Sequence, residues 1–225
     1  MVATTIHLMR HGEVFNPGGV LYGRLPGFHL SDRGVAMAER VAAHLAGELE
    51  PAGEAPRAER ADVVALFASP MERAQETAAP VAAAFGLDIR TDVRLLEAEN
   101  KFEGLTLGVD RGSLRNPRHW PLLVNPLRPS WGEPYRRQVV RMLAVVADAR
   151  DAARGHEAVL VSHQLPVWVT RLALSGQRLW HDPRNRQCTL ASLTSLRFED
   201  DRLVGLHYTE PAADLLPGAQ RVPGA

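Results

Sequence analysis

Hydrophobic and polar positions along the chain follow two different periods. Short apolar runs rich in β-branched residues predict buried strands, and longer segments with apolar residues three or four apart predict amphipathic helices. The predicted strands are Thr4–Met9, Asp62–Ala68, Leu87–Thr91, Ala158–Ser162, Leu190–Phe198 and Arg202–Tyr208. The predicted helices are Asp32–Glu48, Pro70–Phe85, Tyr135–Arg154 and Pro166–Leu174. This alternation predicts an α/β fold, a three-layer sandwich with a mainly parallel sheet and helices on both faces.

Residues at the ends of two predicted helices support their boundaries. Ser31 has the side chain of an N-cap for the first helix, and Ser69 and Pro70 are placed to open the second as cap and first residue. Pro80 lies within the second helix and predicts a kink there.

The pattern predicts a single domain over residues 1–210, a size that buries a core without disulfides or metal. Between about 105 and 134 it breaks down into Pro, Gly, Trp and Arg, which predicts a lid-like insertion. The segment 211–225 holds three prolines and two glycines and predicts a flexible C-terminal tail.

Composition and charge exclude several classes of protein. The 26 basic and 26 acidic side chains give no net charge, which argues against a nucleic-acid binder. No apolar run reaches the roughly 18 to 20 residues that span a bilayer, and Arg10 and His11 interrupt any signal-peptide core. Cys188 is the only cysteine and cannot form an internal disulfide. We therefore expect a cytoplasmic protein without membrane or nucleic-acid partners, and a homodimer stays open.

Positive charge is concentrated in the irregular part of the chain. Leu105–Arg141 holds seven arginines against Asp110 and Glu133, a local excess of five positive charges. The arginines are Arg111, Arg115, Arg118, Arg128, Arg136, Arg137 and Arg141. One interpretation is a lid that attracts an anionic substrate, and the other is a solvated surface whose arginines pair with acids elsewhere.

Charged and imidazole side chains follow three of the predicted strands. Arg10 and His11 follow the first, Arg73 lies just past the second, and His163 follows the fourth. In a parallel sheet the carboxyl ends of the strands meet at one edge, so we expect these four side chains to lie together. Two guanidinium groups and two imidazoles suit a tetrahedral dianion, and neutral histidine is a nucleophile for phosphoryl transfer.

A metal site is not predicted. His7 and His11 are four residues apart, which on an extended strand separates them by roughly 13 Å. No cysteine pair occurs, and the arginines would repel a cation. No metal or organic cofactor is expected.

Three motifs carry a resemblance to a known family. Arg10-His11-Gly12 is followed by Ser69-Pro70 with Arg73-Ala74 and Thr77-Ala78, and then by Val161-Ser162-His163. Together and in this order they resemble the histidine phosphatase superfamily, with the phosphoglycerate mutase-like fold. The resemblance implies that His11 becomes a phosphohistidine and that Arg10, Arg73 and His163 form the phosphate pocket.

The family also uses a carboxylic acid to protonate the leaving oxygen. Glu97, which follows two leucines, is the preferred candidate, and Glu99 and Glu103 are the alternatives. Further candidates for contacts with phosphate or substrate are Asn16, Arg24 and Gln164. The resemblance differs at Val14, where many members have Thr or Ser.

The resemblance implies a metal-independent phosphomonoesterase of the histidine acid phosphatase type. It would take a small phosphorylated substrate and release inorganic phosphate. Two alternatives stay open. One is a phosphoglycerate mutase-type phosphotransferase, and the other is a catalytically silent protein that binds a phosphorylated ligand.

Overall fold

Within the described residues, six strands and four α-helices alternate along the chain. The structure is a computed structural model and describes residues 1–48, 60–106 and 132–219. The elements are β1 (Ala3–Arg10), α1 (Asp32–Leu45), β2 (Val63–Ala68), α2 (Glu72–Phe85), β3 (Ile89–Thr91), α3 (Tyr135–Ala152), β4 (Glu157–Ser162), α4 (Gln164–Leu174), β5 (Leu193–Glu199) and β6 (Arg202–Thr209). The strands form one sheet in the order β3-β2-β4-β1-β5-β6.

The sheet is mainly parallel, as predicted. β3, β2, β4 and β1 run in one direction, and β5 runs against them. β6 is antiparallel to β5 and therefore runs in the same direction as the first four strands. Arg10 at the end of β1 is in register with Ser162 at the end of β4, and Ala68 of β2 pairs with Val161. The residues that follow these three strands therefore emerge at one edge of the sheet.

Helices cover both faces of the sheet, which confirms the predicted three-layer sandwich. On one face α1 and α2 contribute Met37, Val41, Leu45, Ala74, Ala78 and Val81 to a core with Met9, Leu66, Val159 and Val161. On the other face α3 and α4 contribute Met142, Val145, Val146, Ala149 and Val167 to a core with Ile6, Leu8, Phe67, Ala158 and Leu160.

The helix ends differ in part from prediction. Ser31 does cap α1, since its Oγ accepts from the N–H of Gly34 at 3.0 Å. The second helix begins at Glu72, with Met71 as its N-cap and no side-chain cap, so the prediction of Ser69 as cap is wrong. α2 also continues through Pro80 to Phe85. The hydroxyl of Ser69 contacts His163 instead.

The predicted insertion and tail are described only in part. Residues 107–131, with Arg111, Arg115, Arg118 and Arg128, lie outside the described residues, as do residues 220–225. Residues 211–219 pack on the protein, because Ala212 is buried in the core beside α1 and Asp214 pairs with Arg40 at 3.2 Å.

Candidate active site

His11 lies where β1 leaves the sheet, and backbone contacts fix it on two sides. Its N–H donates to the carbonyl of Ser162, and its own carbonyl accepts from the N–H of Ala191. The next N–H, that of Gly12, donates to Oγ1 of Thr77 on α2. A Cβ at Gly12 would stand 2.5 Å from the carbonyl oxygen of Gly34, so only glycine lets α1 approach this closely.

The imidazole of His11 has one committed nitrogen and one open nitrogen. Nδ1 donates to the carbonyl of Gly12 at 2.7 Å, while Nε2 has no hydrogen-bond partner in the described part of the chain. Burial holds the pKa of His11 well below its usual value, and the positive charges of Arg73 and Arg10 lower it further. His11 is therefore a neutral imidazole whose Nε2 lone pair is available to an electrophile.

Two arginines flank His11. Nη1 of Arg10 donates to the carbonyl of Cys188 at 2.7 Å. Arg73 is fully buried, its Nη2 donates to the carbonyl of Gly23 at 2.6 Å, and its guanidinium carbon lies 4.7 Å from the centre of the Tyr22 ring. Nε and Nη1 of Arg73 have no partner among residues 1–48, 60–106 and 132–219. A buried guanidinium with two open donors is suited to bind an oxyanion.

His163 lies beside His11, with ring centroids 5.2 Å apart. Its Nδ1 is 3.4 Å from Nη2 of Arg73, and its Nε2 is 2.9 Å from Oγ of Ser69. A neutral ring with its proton on Nε2 satisfies both contacts. Burial lowers the pKa of His163 well below its usual value, and the charges of Arg73 and His11 lower it further. The neutral form of His163 is therefore favoured.

The three candidate acids lie in different surroundings. Glu97 is buried, and burial raises the pKa of its carboxyl group against the opposing effects of the N–H of Ala98 and of nearby arginines. Glu99 is 66% exposed and pairs with Arg24, and Glu103 accepts from the backbone N–H of Arg24. Glu97 combines burial with a raised pKa, the properties of a proton donor near neutral pH.

The side chain of Asn16 closes the loop after β1. Its Nδ2 donates to the carbonyl of Val20, and its Oδ1 accepts from the N–H of Val20. Both polar ends of this side chain, predicted to contact phosphate, are thus engaged within the loop.

Arg24, predicted to contact substrate, is hydrogen-bonded to the segment 97–103 that holds the three candidate acids, called the acid segment below. Its Nε donates to the carbonyl of Glu97 at 2.7 Å, Nη1 to Glu99 and Nη2 to Glu133. Glu133 is buried and also accepts two bonds from Arg141 of α3. Arg24 therefore holds the backbone of Glu97 to the start of α3.

Gln164 leads to a residue that the sequence analysis missed. Its Nε2 donates to the carbonyl of Cys188, which also binds Arg10, and its Oε1 accepts from Nη1 of Arg186. Burial lowers the pKa of Arg186, and the charge of Glu97 opposes that effect. No motif marks Arg186, which is one of 25 arginines, so the sequence carried no signal for its place beside the site.

The described residues hold no group of three or more His, Cys, Asp or Glu side chains placed to bind a metal ion. None of the described helices is long and apolar enough to cross a membrane.

Comparisons with known proteins place this geometry in a family. The family model for the histidine phosphatase superfamily (branch 1) matches residues 6–210. An uncharacterised protein of Mycobacterium tuberculosis is 54% identical over 93% of this chain and 98% of its own. A 2,3-bisphosphoglycerate-dependent phosphoglycerate mutase of Thermoplasma acidophilum is 33% identical over 48% of this chain and 45% of its own.

A solved structure shares the fold. The native structure of a mycobacterial glucosyl-3-phosphoglycerate phosphatase matches with a TM-score of 0.65 at 24% identity, over 87% of this chain and 90% of that one. At this identity the likeness is one of fold, and the family assignment follows from the sequence matches. The chain belongs to the histidine phosphatase superfamily.

Proposed function

We propose that this protein hydrolyses a phosphate monoester through a phosphohistidine on Nε2 of His11. One observation carries the proposal: a buried neutral imidazole presents an open nitrogen beside two guanidinium groups and a second neutral imidazole. A nucleophile in this setting meets a tetrahedral dianion whose charge Arg10 and Arg73 offset.

In the first step Nε2 of His11 forms a bond to phosphorus while the bond from phosphorus to the leaving oxygen breaks. Glu97, held protonated by burial, transfers its proton to that oxygen, and the alcohol leaves. Arg10 and Arg73 donate hydrogen bonds to the non-bridging oxygens as charge grows on them, and His163, bonded to Ser69, accepts from Nη2 of Arg73 and helps to hold it.

In the second step water attacks the phosphohistidine, and Glu97 accepts a proton from it. The bond from phosphorus to Nε2 breaks, inorganic phosphate is released and His11 returns to its neutral form. The nucleophile, acid and charge-neutralising groups of both steps are all side chains of this chain.

Release of inorganic phosphate tests the proposal. The native protein, His11→Ala and the control His29→Ala, which alters an exposed histidine, are assayed against 4-nitrophenyl phosphate and a panel of sugar, nucleotide and glycerate phosphates. We expect His11→Ala to abolish release and His29→Ala to retain it. Equal release by His11→Ala and native protein would exclude the mechanism.

A mutase is the second candidate, favoured by the 33% identity with the archaeal phosphoglycerate mutase over about half of the chain. A mutase returns the phosphoryl group to an acceptor hydroxyl, so its turnover depends on a bisphosphorylated primer. Phosphate release that needs no primer supports the hydrolase.

A further inference from the structure

Arg186 lies at the rim of the site, and two acceptors fix its guanidinium group. Nε donates to Nε2 of His181 at 2.9 Å, and Nη1 donates to Oε1 of Gln164 at 3.2 Å. Nη2 has no hydrogen-bond partner in the described ranges. Gln164 directly follows His163 and shares the carbonyl of Cys188 with Arg10, so Gln164 connects Arg186 to two residues of the proposed phosphate pocket.

The support for Arg186 is itself rigid. Nδ1 of His181 donates to the carbonyl of Leu179 at 2.7 Å, which leaves Nε2 as the acceptor for Arg186 and fixes the neutral tautomer. The rings of Tyr135 and Trp168 pack against the His181 ring at centroid distances of 5.5 and 5.9 Å. Arg186 therefore presents its open Nη2 in a preformed direction, at low entropic cost to a ligand.

Glu97 shows which side of the site Arg186 serves. Burial is the main cause of the raised pKa of Glu97 and of the lowered pKa of Arg186, and the charge of each group offsets part of the other's shift, so the two groups lie within electrostatic range. No ion pair joins them in the described part of the chain. Under the proposed function the leaving oxygen lies beside Glu97, and the rest of the leaving alcohol then lies on the side of Arg186.

We propose that Arg186 is a specificity-determining residue that binds a second anionic group on the leaving alcohol. This inference rests on the proposed function for the placement of the leaving group. It narrows the substrate class to phosphomonoesters whose organic part carries its own negative charge. A guanidinium whose other donors are already anchored discriminates an anion from a neutral group of the same shape.

Binding of arylphosphonates tests this, because their carbon–phosphorus bond is not hydrolysed and the result does not depend on turnover. The Kd values of 3- and 4-carboxyphenylphosphonate and of the neutral 3- and 4-carbamoyl analogues are measured by calorimetry. We expect at least one carboxylate isomer to bind the native protein about tenfold or more tightly than its amide, the range of a charge-assisted hydrogen bond.

Variants locate the effect. Arg186→Gln should bring the carboxylate-to-amide ratio close to one, and Arg186→Lys should retain part of the preference. The control Arg202→Gln removes the same charge from an exposed position at the opposite edge of the sheet and should keep the native ratio. Equal binding of acid and amide by the native protein overturns the inference, as does an unchanged ratio in a folded Arg186→Gln protein.

The two proposals fail separately. Preference for the carboxylate without any phosphate release would retain Arg186 as an anion-binding residue and exclude the hydrolase. Phosphate release without such a preference would support the hydrolase and overturn the proposed role of Arg186.

Discussion

Glu97 has surroundings that differ from those of an ordinary carboxyl group. It is buried, its Oε1 accepts from the N–H of Ala98, and its backbone carbonyl accepts from Nε of Arg24. Burial favours the neutral form of the acid, and the cations around it limit how far its pKa rises. The balance suits a group that must first give a proton and then accept one.

The pH dependence of kcat/KM follows from two shifted pKa values. The lowered pKa of His11 keeps the nucleophile neutral, so on the acid side activity falls only at pH values below the usual pKa of histidine. Glu97 must start protonated, so activity falls on the alkaline side as pH rises through its raised pKa. Glu97→Gln should remove this alkaline limb, as pH–rate profiles of both proteins will show.

The leaving group provides the control for that variant. Nitrophenolate leaves without a proton, whereas an alkoxide does not, so Glu97→Gln should lower kcat by about 10² to 10⁴ for an alkyl phosphate and much less for 4-nitrophenyl phosphate. Equal losses for both substrates would show that Glu97 is not the proton donor.

At the residue scale, the sequence motifs were informative where a side chain follows a strand and less so elsewhere. The sequence predicts that Arg10, His11 and His163 lie close together, because the carboxyl ends of parallel strands meet at one edge of the sheet. Arg24 and Arg186 could not be assigned in this way, because their partners are distant in the sequence. An arginine's role depends on which acceptors surround it, and the sequence of a loop does not specify them.

At the scale of elements, one buried carboxylate joins three parts of the chain. Glu133, just before α3, accepts two bonds from Arg141 and one from Arg24. Its N–H also donates to the carbonyl of Glu99 in the acid segment. The loop after β1, the acid segment and α3 are thereby held together around a single side chain.

Glu133→Gln should weaken this junction. The amide places a donor against a guanidinium group, so we expect a loss of about 1–3 kcal/mol in the free energy of unfolding, measured in urea, together with a lower kcat. The matched control is Glu99→Gln, which removes an exposed partner of the same arginine and should cost less than about 1 kcal/mol. Similar losses in the two variants would contradict the argument.

The periodicity of the sequence located each described strand and α-helix, and the errors of prediction lie at the ends of these elements. Ser69 and Pro70 fit the start of a helix, yet α2 begins at Glu72 because the hydroxyl of Ser69 is used by His163 across the sheet. A local rule for caps cannot anticipate a competing partner 94 residues away.

At the scale of the whole molecule, the end of the described chain contributes to the core. Ala212 is buried, Leu215 and Leu216 pack against the same cluster, and Arg33 of α1 donates to the carbonyl of Pro217. The prolines and glycines of residues 211–225 predicted a flexible tail. These residue types also occur in turns that pack closely, so composition alone does not distinguish the two cases.

Truncation after Glu210 should therefore destabilise the protein by about 1–3 kcal/mol through lost apolar burial. Truncation after Ala219 is the control and removes none of these contacts. The urea midpoints of the two truncated proteins should differ, and coincident midpoints would show that residues 211–219 add nothing.

The order of the strands also has a consequence for biosynthesis. β1, which leads into the proposed nucleophile His11, is translated first, but its neighbours in the sheet are β4 and β5, which begin at residues 157 and 193. At about 5–20 residues per second the ribosome takes many seconds to supply them. Throughout that interval an apolar strand without a partner must be kept from association, and a fragment of the nascent chain that ends before β4 lacks His163 of the proposed site.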